Sequence, residues 1–333
     1  MAFVLLVVIT FLIITILYSK QKLQREIKSF ENSNNQSNST SFQEERSECF
    51  TVGFAIPTTG NGLGNHLFYY AGTMYVAWLT GRKPLILSSK STKLDQAFDL
   101  NIARKDTNKP CPVTRFIHQY VYAFNANITD LTRVEANVSI QVTGSFCSWK
   151  YTQPIENQLR HKLRFHQELT AFVEKFLSDN VPRGWNTSTF VRVGVHVRRG
   201  DFLSNWAIDA GFTVASREYL NHSMTYFVER YPLVQFIVAS NDIGWCRTNI
   251  KMSSFNQEKV KITFSVGHST VQDIALLAGC DHSIMTTGTY SWWASWLAGG
   301  TTIYYKRFPR LGSRLWRWSR ADDFFPPTWI GMN

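Results

Sequence analysis

Hydrophobic positions divide the 333-residue chain into an unbroken apolar run, a polar stretch and a long body with strand and helix periods. The run from Ala2 to Tyr18 has no charged residue, and its ~17 residues would extend about 25 Å as a helix, enough to cross the hydrocarbon core of a bilayer. This predicts a transmembrane signal anchor at residues 1–19. A cleaved signal peptide is the alternative, but no Lys or Arg precedes the run and no small-x-small cleavage site follows it.

The stretch after the run is rich in Ser, Asn, Gln and Glu and poor in apolar residues. It cannot bury enough apolar surface to fold, so we predict a flexible stem at residues 20–50. Lys20, Lys22, Arg25 and Lys28 would by the positive-inside rule face the cytosol, whereas the glycosylation sequons downstream favour a lumenal body. The six sequons begin at Asn35, Asn38, Asn127, Asn137, Asn186 and Asn221.

The body opens with a pattern typical of a strand, a loop, a helix and a second strand. Residues 51–56 form a short apolar run, and apolar residues then recur at helical spacing up to Gly81, a residue suited to ending a helix. Between them, Gly62 and Gly64 belong to a loop whose backbone could approach a ligand at a helix N-terminus. A tight turn that merely begins a helix is the alternative, because Asn65 stands where the dinucleotide-binding fingerprint requires a third glycine.

The clearest strand pattern lies in FVRVGVHVRRGD, residues 190–201. Alternation places Val193, Val195 and Val197 on one face and His196 and Arg198 on the other. His196 and Arg198 therefore emerge at the carboxyl end of a strand, the edge at which open α/β sheets bind ligands. Arg199 falls on the valine face, where we expect a structural ion pair with Asp201; an ion pair is also the alternative role of Arg198.

Two later helices present polar groups at their predicted N-termini. Thr289 and Ser291 stand where the last long helix begins, and their hydroxyl and N–H groups could cap the helix or hold a phosphate. Asp273 stands near the start of the preceding helix, where it could simply compensate the helix dipole. The cluster Trp292, Trp293 and Trp296 favours core packing over a sugar-binding platform.

Composition narrows the partners. The chain has 35 Lys and Arg against 24 Asp and Glu, a formal charge of +11, which favours anionic ligands. The basic residues are scattered, so nucleic acid is the least favoured partner. The five cysteines are compatible with one or two disulfides in an oxidising lumen; they are Cys49, Cys111, Cys147, Cys246 and Cys280. The sequence has no cluster of Cys and His and no Asp-x-Asp motif that would indicate a metal site.

Several ordered motifs together resemble the α-1,2-fucosyltransferases of glycosyltransferase family 11. They are HVRRGD at 196–201, GNGLGNHLFYYAG at 60–72, SNDIGWC at 240–246, DIALLAGCDHSIMTTGTYSWWASWLAGG at 273–300 and FFPPTWIG at 324–331. The resemblance implies a GT-B-like α/β fold of two Rossmann-like domains, preceded by an N-terminal transmembrane helix. We place an acceptor-side domain at 51–188 and a GDP-fucose-binding domain at 189–333.

The resemblance also implies an activity and a location. A Golgi single-pass type II membrane enzyme would move L-fucose, with inversion, from GDP-fucose to the 2-hydroxyl of a galactose on a glycan acceptor, with no cofactor and no required metal. Transfer in another linkage, to a protein hydroxyl or a core N-glycan, is the alternative within enzymes. Outside enzymes, the body could be a non-catalytic sugar-binding protein or an RGD adhesion protein, although the position of the tripeptide at a strand end makes integrin binding the less favoured of the two.

The resemblance also implies a role for each residue at a position that matches the family's motifs. Arg198 would contact the donor diphosphate, His196 would lie against the nucleotide, Asp273 would read guanine, and Thr289 and Ser291 would hold the diphosphate with the loop of Gly62 and Gly64. Asn65 would lie near the transferred sugar, and no residue is assigned as the base. His66 departs from the glutamine expected at its position.

Overall fold

The computed structural model describes residues 52–54, 62–87, 92–100, 102–104, 114–119, 122–186 and 188–333. The predicted anchor at 1–19 and stem at 20–50 lie outside these residues, as do Asn35, Asn38, Cys49 and Cys111. No helix in the described part of the chain is both long enough and apolar enough to cross a membrane.

Strands from the first half of the body form a parallel sheet. Their order across it is β3-β2-β1-β5-β4, and every described pairing is parallel. The strands are β1 (Val52–Phe54), β2 (Pro84–Ile86), β3 (Ala103–Arg104), β4 (Thr114–Gln119) and β5 (Ser139–Gly144).

A second parallel sheet follows, with the order β11-β10-β9-β6-β7-β8. Counted from β6, this is the order 6-5-4-1-2-3, the arrangement of a Rossmann sheet, in which ligands bind where the direction of strand addition reverses. That switch point lies between β6 and β9. The strands are β6 (Val191–Val197), β7 (Val234–Ser240), β8 (Val260–Phe264), β9 (His282–Met285), β10 (Thr302–Tyr305) and β11 (Ile330–Met332).

Helices connect the strands, as parallel pairing requires. Gly81, which was predicted to end a helix, does so in the left-handed conformation with φ 66°, and Gly299 ends a later helix in the same conformation with φ 79°. The helices are α1 (Leu63–Thr80), α2 (Lys93–Ala97), α3 (Trp149–Thr152), α4 (Glu156–Lys162), α5 (Gln167–Asp179), α6 (Asn205–Ala210), α7 (Arg217–Val228), α8 (Ile243–Asn249), α9 (Thr270–Ala278), α10 (Thr289–Ala298), α11 (Arg314–Arg317) and α12 (Ala321–Phe324).

An aromatic core joins α1 to α10. Phe68 of α1 packs its ring 4.8 Å from that of Trp292 and 5.1 Å from that of Trp293, and all three side chains are fully buried. The expected core role of the tryptophan cluster is therefore confirmed. Cys49–Asn333 forms one compact unit, and the domain boundary between 188 and 189 stays a prediction.

The cysteine expectation needs correction. Cys147, Cys246 and Cys280 are free and buried, so two disulfides within the chain are excluded. Burial raises the pKa of each thiol, to about 11 for Cys246 and to about 12 for Cys280. These thiols pack as small apolar groups and are poor nucleophiles near neutral pH.

Candidate active site

The end of β6 delivers two side chains to the switch point, as its alternation predicts. Val193, Val195 and Val197 are at most 1% exposed on one face. His196 lies on the other face, and the side chain of Arg198 beyond it is one-third exposed. A basic group that reaches solvent at this edge is well placed to meet an anionic ligand.

His196 is held in one orientation by the first turn of α10. Its Nδ1 lies 2.5 Å from Ser291 Oγ, and its ring centroid lies 4.7 Å from that of Tyr290. Ser291 Oγ donates its own proton to the carbonyl oxygen of Thr287 at 2.9 Å, so in this network Nδ1–H of His196 donates to Ser291. Burial, and secondarily the charge of Arg198, lowers the pKa of His196 to about 3. The imidazole is therefore neutral, with Nε2 carrying the lone pair.

Arg198 carries the positive charge of the site. Its Nη2 lies 2.7 Å from the Asp201 carboxylate, and its guanidinium carbon lies 5.3 Å from the ring centroid of Phe202. Its backbone N–H donates to Thr286 Oγ1 at 2.9 Å, which fixes the strand end. The guanidinium is thus oriented by an exposed carboxylate that an anionic ligand could replace.

The ion pair predicted between Arg199 and Asp201 is wrong. Arg199 instead bonds Asp242 at 3.3 Å and stacks its guanidinium 3.9 Å from the ring centroid of Trp245. The 3-10 turn Gly200–Leu203 carries Asp201 back toward Arg198, three residues earlier in the chain. The structural role expected for Arg199 fits its 13% exposed side chain, and an arginine engaged in this way is poorly presented for adhesion.

The N-termini of α1 and α10 meet at the site. Thr289 Oγ1 donates to Asn65 Oδ1 at 2.7 Å, although 224 positions separate them. Gly288 precedes α10 with φ 90°, a conformation that favours glycine. The first turn of a helix presents free backbone N–H groups and the positive end of its dipole. The contact brings residues of both halves of the body to the N-terminus of α10, a position suited to an anionic ligand.

The two described glycines of the loop have different surroundings. A Cβ on Gly64 would overlap the backbone of Thr289 and Tyr290, coming within 2.5 Å of the carbonyl carbon of Thr289. A Cβ on Gly62 would meet nothing within 4 Å. Gly64 therefore lets α1 approach α10 closely, a packing role that the predicted donor contact did not include.

Asp273 lies in the first turn of α9, next to the site. Its Oδ1 accepts a hydrogen bond from Ser265 Oγ at 2.6 Å, and Ser265 Oγ lies 2.7 Å from His268 Nδ1. Burial raises the pKa of Asp273, while the bond from Ser265 opposes that shift. Tyr290 binds the same helix by donating its hydroxyl to the carbonyl oxygen of Thr270 at 2.7 Å.

Three contacts of the site were not predicted from the sequence. Thr286 fixes the Arg198 backbone, Asn241 Oδ1 accepts from the Arg199 N–H at 2.9 Å, and Phe202 lies under the Arg198 guanidinium. The sequence did carry a signal for Asn241, because it belongs to the polar run Ser240-Asn241-Asp242 at the carboxyl end of β7.

Metal ligands and glycosylation acceptors give two further observations. Within the described ranges, no group of three or more His, Cys, Asp or Glu side chains could hold a metal ion. Asn127, Asn137 and Asn186 are exposed, whereas Asn221 lies within α7 and its Oδ1 is buried. Occupancy of the sequons stays a prediction, and Asn221 is the least accessible of the described four.

The fold and the site define an α/β protein with parallel sheets that offers a basic strand end and a helix N-terminus to an anionic ligand. The chain belongs to glycosyl transferase family 11, whose family model matches residues 13–333. The family predicted from the sequence is therefore confirmed, and the match covers every described site residue.

Two relatives give the similarity in numbers. The chain is 32% identical over 275 residues to galactoside alpha-(1,2)-fucosyltransferase 1 of Bos taurus, covering 81% of this chain and 73% of the relative. It is 31% identical over 284 residues to galactoside alpha-(1,2)-fucosyltransferase 2 of Rattus norvegicus, covering 84% and 76%.

A solved structure shows the fold. A mutant of Arabidopsis thaliana FUT1 in complex with GDP aligns with a TM-score of 0.53 at 12% identity, covering 83% of this chain and 77% of that one. The α/β fold with parallel sheets predicted from the sequence is confirmed.

Proposed function

We propose that this protein transfers L-fucose from GDP-fucose to the 2-hydroxyl of a galactose on a glycan, forming an α-1,2 linkage with inversion. One observation carries the proposal: the match to a protein named galactoside alpha-(1,2)-fucosyltransferase spans 81% of the chain. The geometry of the site then gives each residue a chemical task.

The leaving diphosphate needs positive charge. Breaking the bond between fucose and phosphate builds negative charge on the β-phosphate, which must be stabilised where it develops. Arg198 and the N-terminal turn of α10 would stabilise this charge. The phosphate would replace Asp201 as the partner of the guanidinium. A unit charge about 4 Å from another gains about 4 kcal/mol at an effective dielectric near 20, so cationic groups can take the place of a metal ion.

His196 would act by positioning the first turn of α10. Its neutral ring holds Ser291 and packs on Tyr290, so it fixes the first turn of α10 without adding a charge behind Arg198. The Arg198 guanidinium would repel a protonated imidazole there, and this repulsion contributes to the lowered pKa of His196. The buried ring thereby keeps the N–H groups of α10 directed at the diphosphate.

Asp273 would select the base of the nucleotide. A carboxylate accepts the N1–H and N2–H donors along one edge of guanine, and Ser265 and His268 orient this one. Asn65, held against Thr289, would lie near the fucose, where the acceptor hydroxyl attacks from the face opposite the diphosphate. Transfer in this scheme needs no metal and no cofactor.

The proposed location is the Golgi membrane, with a single type II span and a lumenal body. Support comes from the uncharged run at residues 2–18 and from sequons whose asparagines are exposed at 127, 137 and 186. Nucleic acid is not a proposed partner, and integrin binding is not proposed because Arg199 is engaged by Asp242 and Trp245.

Labelled GDP-fucose tests the proposal directly. The detergent-solubilised full chain would be incubated with a β-galactoside, a hydroxyl-bearing peptide and a core N-glycan. We expect label on the galactoside alone. Label on the peptide or the core N-glycan would establish another linkage, and GDP-fucose binding without any transfer would establish a sugar-binding protein; either result refutes the proposal.

A further inference from the structure

An exposed aromatic stack lies on the rim of the donor site. Trp206 on α6 is 68% exposed, which is unusual for so large an apolar residue. Its ring lies 5.8 Å from the ring of Phe212, with 29° between the planes. Phe212 thus supports one face of the indole and leaves the rest of it in solvent.

The stack is continuous with the residues assigned to the diphosphate. Phe212 packs 4.5 Å from Phe202, and Phe202 lies 5.3 Å from the guanidinium carbon of Arg198. Phe202 also borders the α10 N-terminus, because a Cβ on Gly288 would be 3.5 Å from its ring. Three successive contacts therefore lead from Arg198 to Trp206, a distance that an oligosaccharide of a few rings can span.

The helix that carries Trp206 is firmly attached to the body. Ser204 caps its start by accepting the N–H of Ala207, and Gly211 ends it with φ 108°. Arg310 then binds the end of that helix, donating its backbone N–H to the carbonyl oxygen of Gly211 and its Nη2 to that of Ile208. A ligand would meet the indole face already in position, which limits the entropy lost on binding.

We propose that Trp206, supported by Phe212, is a platform for the acceptor glycan, on which the apolar C–H face of a sugar ring stacks. The proposal rests on the fucosyltransferase function proposed above. Further exposed apolar side chains in this part of the body, Leu203, Ile208, Leu311 and Trp316, also fit contact with a lipid surface. Continuity with Arg198 and Phe202 favours the glycan, because the acceptor must reach the fucose beside the diphosphate.

Steady-state kinetics of the detergent-solubilised full chain test the platform. Trp206→Ala should raise the acceptor KM roughly tenfold, the change that corresponds to about 1.4 kcal/mol, while the GDP-fucose KM and the rate of GDP-fucose hydrolysis without acceptor stay within about twofold. Trp206→Phe keeps an aromatic face and should stay within about threefold of the parent. Trp78→Ala is the matched control, since Trp78 is also exposed on an aromatic neighbour, Tyr75, but at the far end of α1.

Two results would overturn the platform: an unchanged acceptor KM in Trp206→Ala, and an equal rise in the donor and acceptor KM values of that variant. If the acceptor KM is unchanged while Trp206→Ala binds phosphatidylcholine and phosphatidylserine vesicles less than the parent does, the patch is assigned to a membrane instead. Failure of the parent protein to fucosylate any galactoside would instead refute the proposed function, so the two failures are distinguishable.

Discussion

Nδ1 of His196 lies 2.5 Å from Oγ of Ser291, and this bond ties the end of β6 to the first turn of α10. Because Ser291 donates to Thr287, it needs a donor on the histidine side. The bond therefore requires a proton on Nδ1, and burial keeps the ring neutral by lowering the pKa of His196. The orientation of the first turn of α10 therefore depends on one buried histidine.

The pH dependence of stability should report this histidine. Its pKa falls from 6.5 to about 3 on folding, so the unfolded chain takes up the proton first as the pH drops. The stabilisation from neutral His196 is complete above about pH 6.5 and is lost as the pH falls toward 3. Between pH 7.5 and 5.5 the loss from this residue is about 1.4 kcal/mol.

Urea unfolding of the parent and of His196→Asn at both pH values measures it. The variant should lose about 1.4 kcal/mol less than the parent on acidification. Burial also lowers the pKa of His66 and His282, but both remain in the variant and cancel in the comparison. Equal losses in the two proteins would show that His196 is not buried in its neutral form.

The neighbouring arginines should separate catalysis from stability. Arg198→Ala removes the charge that is proposed to stabilise the leaving diphosphate, so we expect kcat to fall by roughly a hundredfold or more with little change in Tm. Arg199→Ala removes the contacts with Asp242 and Trp245, so we expect a loss of about 1–2 kcal/mol of unfolding free energy and a much smaller change in kcat. Turnover assays and thermal denaturation of both variants provide the check. If Arg199→Ala lost turnover and Arg198→Ala lost stability instead, the strand would present its other face to the ligand.

A glycine pair tests the close approach of α1 to α10. Gly64→Ala places a methyl group against the backbone of Thr289 and Tyr290, which cannot move aside as a side chain can. We expect it to lower both Tm and the affinity for GDP, measured by calorimetry. Gly62→Ala, with open space around its Cβ, is the packing control and should leave Tm unchanged. A Gly64→Ala variant with the Tm and GDP affinity of the parent would contradict the close packing of these helices.

Metal independence is the next expectation. If Arg198 and α10 stabilise the leaving diphosphate, then transfer rates in excess chelator should equal those without it. Added Mn²⁺ or Mg²⁺ should change the rate by less than about twofold. A strict requirement for either ion, seen as lost turnover in chelator and recovery on its addition, would contradict cationic stabilisation by the protein alone.

The parts predicted well from the sequence are those set by local periodicity. Alternation over seven residues of β6 fixes which face carries His196 and Arg198, because one register error would bury the charge. Gly81 ends its helix, as predicted, for a local reason, the left-handed conformation that glycine adopts readily. Such features depend on neighbours in the chain, which the sequence displays.

The parts that could not be predicted depend on distant contacts. Asn65 meets Thr289 across 224 positions, and the role of Gly64 appears only when α10 lies against it. The predicted partner of Arg199 was wrong because the turn after Gly200 redirects Asp201 to Arg198, while Asp242 arrives from the end of the neighbouring strand β7. Trp206 gave no periodic signal, since its importance lies in its position beside Phe212 and Phe202.

The structure of the reaction product tests the assigned function most directly. The full chain would be incubated with GDP-fucose and a β-galactoside, and the purified product would be analysed by two-dimensional NMR. We predict a single fucose in the α configuration attached to O2 of galactose, the inverted product of the β-linked donor. Fucose attached elsewhere, or in the β configuration, would contradict the assignment of this chain as an inverting α-1,2-fucosyltransferase.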